Sequence, residues 1–415
     1  MGMDTAIYAR NPTHTSMPLF DSATQAPADP ILGLSTQFKE DTRANKVNLG
    51  VGVFVDAHGV TPVLPSVRAV EQQLAEAGAS KSYLPMTGSP AYATATQKLC
   101  FGETLANQFA GRVVTAQTPG GTGALRVAGD FLHRIAGTLP VWLSNPTWAN
   151  HKGIFTAAGH TLETYAYFDP AANAVDHDAF FSDLKAIPAG QVAVIHACCH
   201  NPTGADLTED DWKQVAAIAA DQGWIPLLDF AYQGFGENID ADAVGVRTLA
   251  EAGLPVIVCQ SFSKNFGLYQ DRIGALHIVC ASTDEATRVK SQVELCIRTN
   301  YSNPPAHGGA IVTAILNDPS LATQWDGEVA DMRDRIKDTR TDFVTALEQA
   351  GVSRDFRFLM DQKGMFSFTG ISKDDVHRLR NEFAIYMVDS GRINVAGITP
   401  ANLAQVTAAM KAVIG

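Results

Sequence analysis

A regular alternation between two kinds of segment runs from Pro62 to about Ile336 and limits the folds that this chain can adopt. Apolar runs of strand length alternate with stretches whose apolar residues recur at the helical period. Such an alternation predicts an α/β domain on a mostly parallel sheet. The predicted strands are Arg112 to Thr118, Val141 to Ser144, Val192 to Ala197, Trp224 to Asp229, Val256 to Ser261 and Ile273 to Cys280. The helical segments among them are Gly123 to Ile135, Asp210 to Gln222 and Leu249 to Gly253.

The pattern changes towards the C-terminus, where helical periodicity extends from Thr283 to Arg298 and from Leu321 to Gln349. Beyond Asp355, two helices mix with short strands, which is typical of a compact α+β layout. These strands are Met365 to Phe368, Tyr386 to Val388 and Arg392 to Val395. We therefore predict a large domain over residues 62–336. A smaller α+β domain is expected to combine residues 29–61 with residues 337–415.

Residues 1–28 are predicted to form an N-terminal leader or arm. The first sixteen residues are polar and lack the apolar segment of a signal peptide. No apolar run reaches the roughly 18 residues that a membrane span needs, so no membrane partner is expected. A formal net charge of -12, without a cluster of Lys and Arg, argues against nucleic acid as a partner.

The chain has 6 cysteines, which is few for 415 residues, and they show no spacing typical of a metal site. We therefore predict no metal. The adjacent pair Cys198-Cys199 follows an apolar run, and we interpret both as small buried residues at the end of a strand. This cysteine usage fits a reducing compartment, and the cytoplasm is the predicted location.

The segment Ser261-Phe262-Ser263-Lys264-Asn265 carries a lysine, and Arg272 follows shortly before a new apolar strand. A lysine among apolar neighbours loses solvation, so its pKa falls and a neutral amine becomes available to condense with an aldehyde. The two serine hydroxyls and the guanidinium could hold a phosphate dianion. Taken alone, the segment also fits an ordinary surface lysine beside a serine-rich turn.

A glycine-rich loop, Gly120 to Gly123, lies between a predicted strand and a predicted helix. Free backbone N–H groups and the helix dipole favour a phosphate at such a position. The same string fits a tight strand-to-helix turn without any ligand. Together with the lysine and its neighbouring phosphate ligands, it supplies what pyridoxal phosphate (PLP) requires of a protein.

A carboxylate, Asp229, ends the apolar run that begins at Trp224, at the edge where open α/β sheets bind ligands. A buried carboxylate without a partner is costly, and the protonated pyridine nitrogen of PLP would satisfy it. Tyr232 follows three residues later and could reach the phenolic oxygen of the ring. Asn201 precedes a Pro-Thr-Gly turn. The alternatives are an aspartate that caps the following turn and an asparagine that serves only its turn.

Taken in order, these segments resemble the fold-type I aminotransferases, and in particular the class I subgroup of aspartate and aromatic (tyrosine) aminotransferases. The likeness runs from about Asp29 to the C-terminus. Its most specific strings are TPGGTGALRV (Thr118 to Val127), CCHNPTGADLT (Cys198 to Thr208), DFAYQGFG (Asp229 to Gly236), SFSKNFGLYQDRIG (Ser261 to Gly274), NYSNPPAHG (Asn300 to Gly308), GMFSFTG (Gly364 to Gly370) and SGRINVAG (Ser390 to Gly397). The resemblance implies an α/β enzyme with a large PLP-binding domain and a smaller α+β domain.

The resemblance also implies the catalytic and cofactor-binding residues. Lys264 matches the lysine that holds PLP as a Schiff base and moves the proton at the substrate's α-carbon. Asp229 matches the partner of the pyridine nitrogen, with His151 behind it, while Tyr232 and Asn201 match the pair that contacts the ring hydroxyl. The other matches are Trp148, which stacks on PLP, and a phosphate cup of Gly121, Thr122, Ser261, Ser263, Arg272 and, from the neighbouring subunit, Tyr83.

Substrate-binding residues follow in the same way, and Trp148 and Asn201 are also expected to contact the substrate. Arg392 matches the arginine that binds the substrate α-carboxylate. Arg298, again from the neighbouring subunit, matches the arginine for the distal carboxylate of dicarboxylic substrates. Gly52 matches a glycine that packs over the substrate, where a side chain would collide. The implied assembly is a homodimer with shared active sites, which uses amino acids and 2-oxo acids in a ping-pong reaction.

Departures from the family pattern bear on substrate choice. Aspartate-selective members carry a lysine where this chain has Val55, and aromatic members tend to carry a tyrosine. Thr61, Thr122 and Asn303 look aspartate-like, Ser82 fits neither group, and Tyr83 to Met86 look like the tyrosine enzymes. We expect a broad enzyme that accepts aspartate, glutamate and aromatic amino acids, and that moves the amino group between aspartate or aromatic amino acids and 2-oxoglutarate.

The alternatives are a strict aspartate aminotransferase, a β-lyase or decarboxylase, and a PLP-binding protein without activity. Retention of both arginines favours transamination, because the site can then bind an amino acid and 2-oxoglutarate in turn.

Overall fold

The computed structural model describes residues 19–26 and 32–415. Most of the predicted leader therefore lies outside the described residues, as do Asp29 to Ile31, where the resemblance begins. Of the leader, a short 3-10 helix at Leu19–Ser22 is described.

A seven-stranded sheet forms the centre of the described chain. The α-helices that precede the last strand of this sheet in the chain are α1 (Leu32–Glu40), α2 (Pro65–Ala77), α3 (Pro90–Gln108), α4 (Gly120–Ala136), α5 (Asn150–Ala157), α6 (His177–Ala186), α7 (Glu209–Gln222) and α8 (Val244–Glu251). The strands are β1 (Val47–Asn48), β2 (Val113–Pro119), β3 (Pro140–Asn145), β4 (Thr161–Ala166), β5 (Phe168–Asp169), β6 (Ala174–Val175), β7 (Val192–His196), β8 (Ile225–Phe230), β9 (Ile257–Ser261) and β10 (Ile273–Val279).

The order of the sheet is β2-β10-β9-β8-β7-β3-β4, and β10 alone in it runs antiparallel to its neighbours. The prediction of an α/β fold on a mostly parallel sheet is therefore confirmed. Each of the six predicted strands of this sheet ends within one residue of its prediction at both ends. The edge strand β4 was not predicted because half of its residues are exposed and it lacks an apolar run.

Both faces of the sheet are buried, because alternate residues of its strands point to opposite sides. In β7, Val192 and Val194 join the core cluster that contains α4, whereas Ala193 and Ile195 join the cluster that contains α7. Helices therefore cover both faces. Polar side chains that follow the strands lie together at the carboxyl ends of the parallel strands.

The C-terminal part contains α9 (Thr283–Asn300), α10 (Ala306–Asn317), α11 (Pro319–Gln349), β11 (Phe366–Phe368), α12 (Lys373–Phe383), β12 (Ile385–Tyr386), β13 (Arg392–Asn394) and α13 (Leu403–Ile414). The strand β1 pairs with β12, so residues near the start of the described chain are joined to its end. The strand β11 pairs with β13. Residue 336, where we placed a domain boundary, lies inside the 31-residue helix α11, so the two parts share one continuous helix.

Within residues 19–26 and 32–415, no helix combines the length and the apolar character that crossing a membrane requires.

Candidate active site

A cavity of about 210 Å³ opens at the carboxyl ends of the parallel strands. Chain segments that leave β7, β8 and β9 meet there with the N-terminus of α4, which is why residues far apart in sequence share one wall. The lining residues are Gly52, Gly121, Thr122, Leu125, Trp148, Asn201, Asp229, Ala231, Tyr232, Ser261, Ser263, Lys264, Arg272, Phe366 and Arg392. All the sequence-predicted site residues except Tyr83 and Arg298 thus line a single cavity.

One wall is suited to a dianion. Pro119 precedes α4 and provides no side-chain cap, so the first N–H groups of a 17-residue helix remain for a ligand. The Arg272 guanidinium lies across Gly120 and within 3.4 Å of the Ser263 hydroxyl. A Cβ at Gly120 would stand 2.5 Å from an Arg272 nitrogen, so only glycine leaves room for this approach. The wall therefore combines backbone donors, hydroxyls and a fixed cation.

Lys264 follows β9 and lines the same cavity. Burial lowers the pKa of Lys264 to about 8, the nearby Asp229 charge opposes this, and Arg272 reinforces it. The ammonium lies 4.8 Å from the centre of the Tyr232 ring. Such a lysine carries a substantial neutral fraction near neutral pH, which condensation with an aldehyde requires.

Asp229 lies near the end of β8 and is buried. Its carboxylate is 3.0 Å from the Nε2 atom of His151, whose Nδ1 atom is 2.8 Å from the Thr147 hydroxyl. Burial alone would raise the pKa of Asp229, but the hydrogen bond and charge of His151 outweigh it and lower the pKa. The carboxylate is therefore held ionised in an apolar setting, ready for a cationic partner.

Three more predicted residues surround the cavity. The Tyr232 hydroxyl has a raised pKa because it is buried, so it remains a hydrogen-bond donor. The Trp148 ring meets the His151 ring edge-on at 5.3 Å. Asn201 is buried and precedes a cis peptide bond to Pro202.

Arg392 begins β13 and lines the same cavity. It donates to the Gly50 carbonyl at 2.7 Å and to the Asn201 side-chain oxygen at 3.4 Å, while its Nε atom is buried without a hydrogen-bond partner. Burial lowers the pKa of Arg392 to about 10. A buried guanidinium with an unused donor is suited to a carboxylate ligand.

Phe366 is a cavity residue that the sequence analysis did not single out, although it lies in the string GMFSFTG. Its ring centre is 4.2 Å from the Arg392 guanidinium. A Cβ at Gly52 would come within 2.8 Å of the ring, so Gly52 accommodates Phe366 in this structure. The signal available in the sequence was the alternation of aromatic and small residues in a short strand, which does not reveal the face that each aromatic occupies.

Tyr83 and Arg298 lie outside the cavity. Tyr83 is 90% exposed, and Arg298 donates to the Ser302 hydroxyl at 2.5 Å on an exposed surface. The two belong to one patch, because the Asn303 amide accepts from Ser302 and donates to the Leu84 carbonyl at 2.6 Å.

The residues fit a phosphorylated pyridine aldehyde. A dianion wall, an ionised carboxylate and a lysine of lowered pKa face one cavity, and these are the partners that PLP requires. On a seven-stranded, mostly parallel sheet, they define the fold-type I class of PLP-dependent enzymes.

Comparisons with known proteins identify the family. The model for aminotransferase class I and II matches residues 44–410. The aspartate aminotransferase of Escherichia coli K12 is 48% identical over 95% of this chain and its own full length. The aromatic-amino-acid aminotransferase of the same organism is 44% identical over 95% of this chain and 100% of its own.

A solved structure agrees with these relatives. The aromatic-amino-acid aminotransferase of Burkholderia pseudomallei, solved covalently bound to pyridoxal phosphate, superposes with a TM-score of 0.94 at 48% identity, over 96% of this chain and 100% of that one. This chain therefore belongs to the aminotransferase class I and II family. It is a PLP-dependent aminotransferase.

Proposed function

We propose that this aminotransferase transfers amino groups from aspartate, tyrosine or phenylalanine to 2-oxoglutarate, which becomes glutamate, and that it also catalyses the reverse reactions. The observation that carries this proposal is the nearly equal similarity to two kinds of relative. In Escherichia coli K12, the relative named aspartate aminotransferase is 48% identical to this chain, and the relative named aromatic-amino-acid aminotransferase is 44% identical to it. The coexistence of Arg298 with Val55, which makes its surroundings less polar, supports a site for both substrate types.

Each cavity residue then has a role. Bound PLP supplies an electron sink for charge that develops at the substrate's α-carbon. Asp229, held ionised by His151, balances the positive charge of the pyridine nitrogen, and Tyr232 and Asn201 donate towards the ring oxygen. Lys264 holds the cofactor covalently between turnovers and moves the proton at the α-carbon. Its lowered pKa supports this role, because a general base works best with a pKa near the working pH.

The phosphate group would occupy the wall formed by the start of α4, the two serines and Arg272. There it would accept from the first N–H groups of α4 at Gly121 and Thr122, from the hydroxyls of Ser261 and Ser263, and from Arg272. Trp148 would stack on the ring. These contacts orient the cofactor without chemistry of their own, and they would persist in a protein that lacks the lysine.

Arg392 would bind the α-carboxylate that amino acids and 2-oxo acids share. Its unused Nε donor supports this, since a carboxylate would complete the hydrogen bonds of a guanidinium that is already buried. We divide the chain into a large PLP-binding domain at residues 62–336 and a small domain at residues 29–61 and 337–415. Arg392 belongs to the small domain, so closing it over the substrate would exclude water from the site.

The working form is proposed to be a homodimer with shared active sites. Tyr83 and Arg298 support it, because both are exposed, both belong to one surface patch, and neither lines the cavity of its own chain. In a dimer, Tyr83 would complete the partner's phosphate cup and Arg298 would bind the distal carboxylate of a dicarboxylic substrate. We place the dimer in the cytoplasm, where six free cysteines would remain reduced.

Steady-state kinetics test the proposed substrate range. The kcat/KM values for aspartate, tyrosine and phenylalanine, each with 2-oxoglutarate, should lie within about two orders of magnitude of one another. Turnover of aspartate without measurable reaction of either aromatic donor would replace the broad proposal with a strict aspartate aminotransferase.

A further inference from the structure

The buried residue Arg340 has no place in the active site described above. It lies on α11, is 3% exposed, and donates hydrogen bonds to four oxygen atoms. These acceptors are the carbonyls of Leu359, Gly364 and Phe366 and the hydroxyl of Ser367. All four are neutral, and they belong to a single segment that wraps around the guanidinium.

A cation in such a setting is costly, and burial lowers the pKa of Arg340 to about 10. A planar guanidinium holds several acceptors at fixed angles, which a lysine ammonium cannot do. One branch of Arg340 holds the carbonyls of Gly364 and Phe366 at 2.6 and 3.0 Å. The geometry therefore fixes the backbone at the point where β11 begins.

This part of the backbone lies next to Arg392, which we call the clamp because it would bind the substrate α-carboxylate. Phe366 pairs with Asn394 and Phe368 pairs with Arg392, so β11 lies alongside the strand that Arg392 begins. The Phe366 ring also lies 4.2 Å from the Arg392 guanidinium. Arg340 thus contacts the backbone of a residue whose side chain and strand both contact the clamp.

The same segment contacts the turn that carries Asn201. The Lys363 N–H donates to the Gly204 carbonyl at 2.7 Å. A Cβ at Gly204 would stand 2.6 Å from the Phe366 carbonyl oxygen that Arg340 holds. Since Asn201 accepts a hydrogen bond from Arg392, a shift of this segment would displace two contacts of Arg392, those with Asn201 and with the Phe366 ring.

We propose that Arg340 is a positioning residue for substrate binding, which sets the orientation of Arg392 through Phe366 and β11. The inference rests on the proposed function, in which Arg392 binds the substrate α-carboxylate. It requires that Arg340 influence affinity for carboxylates apart from any effect on folding.

The test uses the PLP-loaded enzyme and succinate, a dicarboxylate without an amino or keto group, so that binding is measured without reaction. Arg340→Lys keeps the charge but loses the planar fork, and the Kd of succinate by calorimetry should rise roughly tenfold, the effect of losing one hydrogen bond to a charged group. Affinity for PLP should change less than about twofold, because Arg340 donates to none of the residues of the phosphate wall.

Arg335→Lys is the matched control. Arg335 lies on the same helix and also donates to carbonyls, those of Asp56, Ala396 and Ile398, which lie outside the cavity. It should lower the melting temperature without changing the Kd of succinate. Equal Kd values for Arg340→Lys and the wild type, or equal increases for both lysine variants, would overturn the proposal.

Two further variants complete the test. Arg392→Lys should abolish succinate binding. If this variant binds succinate as the wild type does, the proposed role of Arg392 is wrong. If it loses binding while the Kd of succinate in Arg340→Lys equals that of the wild type, only the inference about Arg340 is wrong. If Arg340→Lys does not fold, Ser367→Ala removes one acceptor of Arg340 and should raise the Kd about threefold. An unchanged Kd in Ser367→Ala would then count against Arg340.

Discussion

The cavity and the Tyr83–Arg298 patch differ in how far one chain completes them. In the cavity, Lys264, Asp229 and Arg392 are buried or enclosed, and their partners come from the same chain. On the patch, Tyr83 is 90% exposed. The Arg298 guanidinium there donates a hydrogen bond to the Ser302 hydroxyl. Apart from Tyr83, the residues expected to bind the cofactor and the α-carboxylate are thus preorganised within the subunit.

This difference teaches where the enzyme's chemistry and its selectivity reside. Groups that every transamination needs are fixed by strand ends and a helix terminus, which are rigid parts of the fold. Arg298, which would recognise a distal carboxylate, lies on an exposed surface that only the proposed dimer would bring to an active site. Changes in the cavity or at Tyr83 should therefore affect all substrates alike, whereas changes at Arg298 should alter their ratio.

The largest effect is expected from Lys264→Ala. Turnover should fall by about four orders of magnitude or more for every amino acid, because the group that moves the α-proton is lost. PLP should still bind noncovalently, since the phosphate and ring contacts survive. Stopped-flow assays with aspartate and phenylalanine, together with equilibrium dialysis of PLP, measure the two quantities.

Lys363→Ala is the control for this variant, because Lys363 is paired with Glu237 at 2.9 Å and does not line the cavity. It should retain activity. A rate for Lys264→Ala within tenfold of the wild type would show that Lys264 is not the catalytic lysine.

The next effect in size concerns the patch. In Arg298→Leu, the distal carboxylate loses its partner in a closed site, which costs on the order of 3 to 5 kcal/mol, or roughly two to four decades in kcat/KM for aspartate. Phenylalanine has no distal charge, so its half-reaction should be nearly unchanged or faster. Single-turnover conversion of the cofactor, followed by absorbance with each amino acid, measures the ratio.

Arg288→Leu serves as the matched control, because Arg288 is an exposed arginine on the same helix α9. It should leave both half-reactions unchanged. Equal losses for aspartate and phenylalanine in Arg298→Leu would mean that Arg298 is structural. A wild type without any phenylalanine reaction would favour the strict aspartate alternative, and Val55 would then only fill the pocket wall.

The sequence predicted the cavity far better than the patch. Lys264, Asp229 and Gly121 follow or end strands of one sheet, so a local motif and its place after a strand already indicate that they meet. Phe366 was missed because a three-residue strand does not show which face lines the cavity. The antiparallel direction of β10 was not predicted either, since strand patterns carry no direction. In the proposed dimer, the roles of Tyr83 and Arg298 depend on how two subunits meet, which no periodicity within one chain specifies.

A smaller effect tests the electrostatics of the cavity in cofactor-free protein. With a pKa of about 8, Lys264 should be roughly half neutral at pH 8, against about one part in 300 for a lysine at 10.5. Neutral amine increases with pH, so acylation of Lys264 by an amine-directed reagent should rise up to about pH 8 and then level off.

Mass spectrometry of the peptides that contain Lys264 and the exposed Lys98 compares the two profiles within one sample. In Asp229→Asn, the carboxylate charge that raises the Lys264 pKa is removed, so the profile of Lys264 should move to lower pH. Identical profiles for Lys264 and Lys98 would contradict a lowered pKa.

The smallest effect is expected at the N-terminus, where removal of residues 1–16 should leave kcat/KM within about twofold of the wild type. The family match begins at residue 44, and the first residues have no apolar pattern that would predict packing against either the cavity or the patch. A second truncation, of residues 1–26, also removes Phe20, whose side chain is 83% exposed. Comparing the two truncated proteins distinguishes the contribution of residues 1–16 from that of residues 17–26. Activity assays and light scattering of both truncated proteins measure turnover and oligomeric mass.

If the shorter truncation is already monomeric or inactive, the leader is a structural arm that belongs with the patch, because assembly depends on it. If only the longer truncation dissociates, the contribution to the dimer lies within residues 17–26, and the comparison between a self-contained cavity and an assembly-dependent surface extends to that segment.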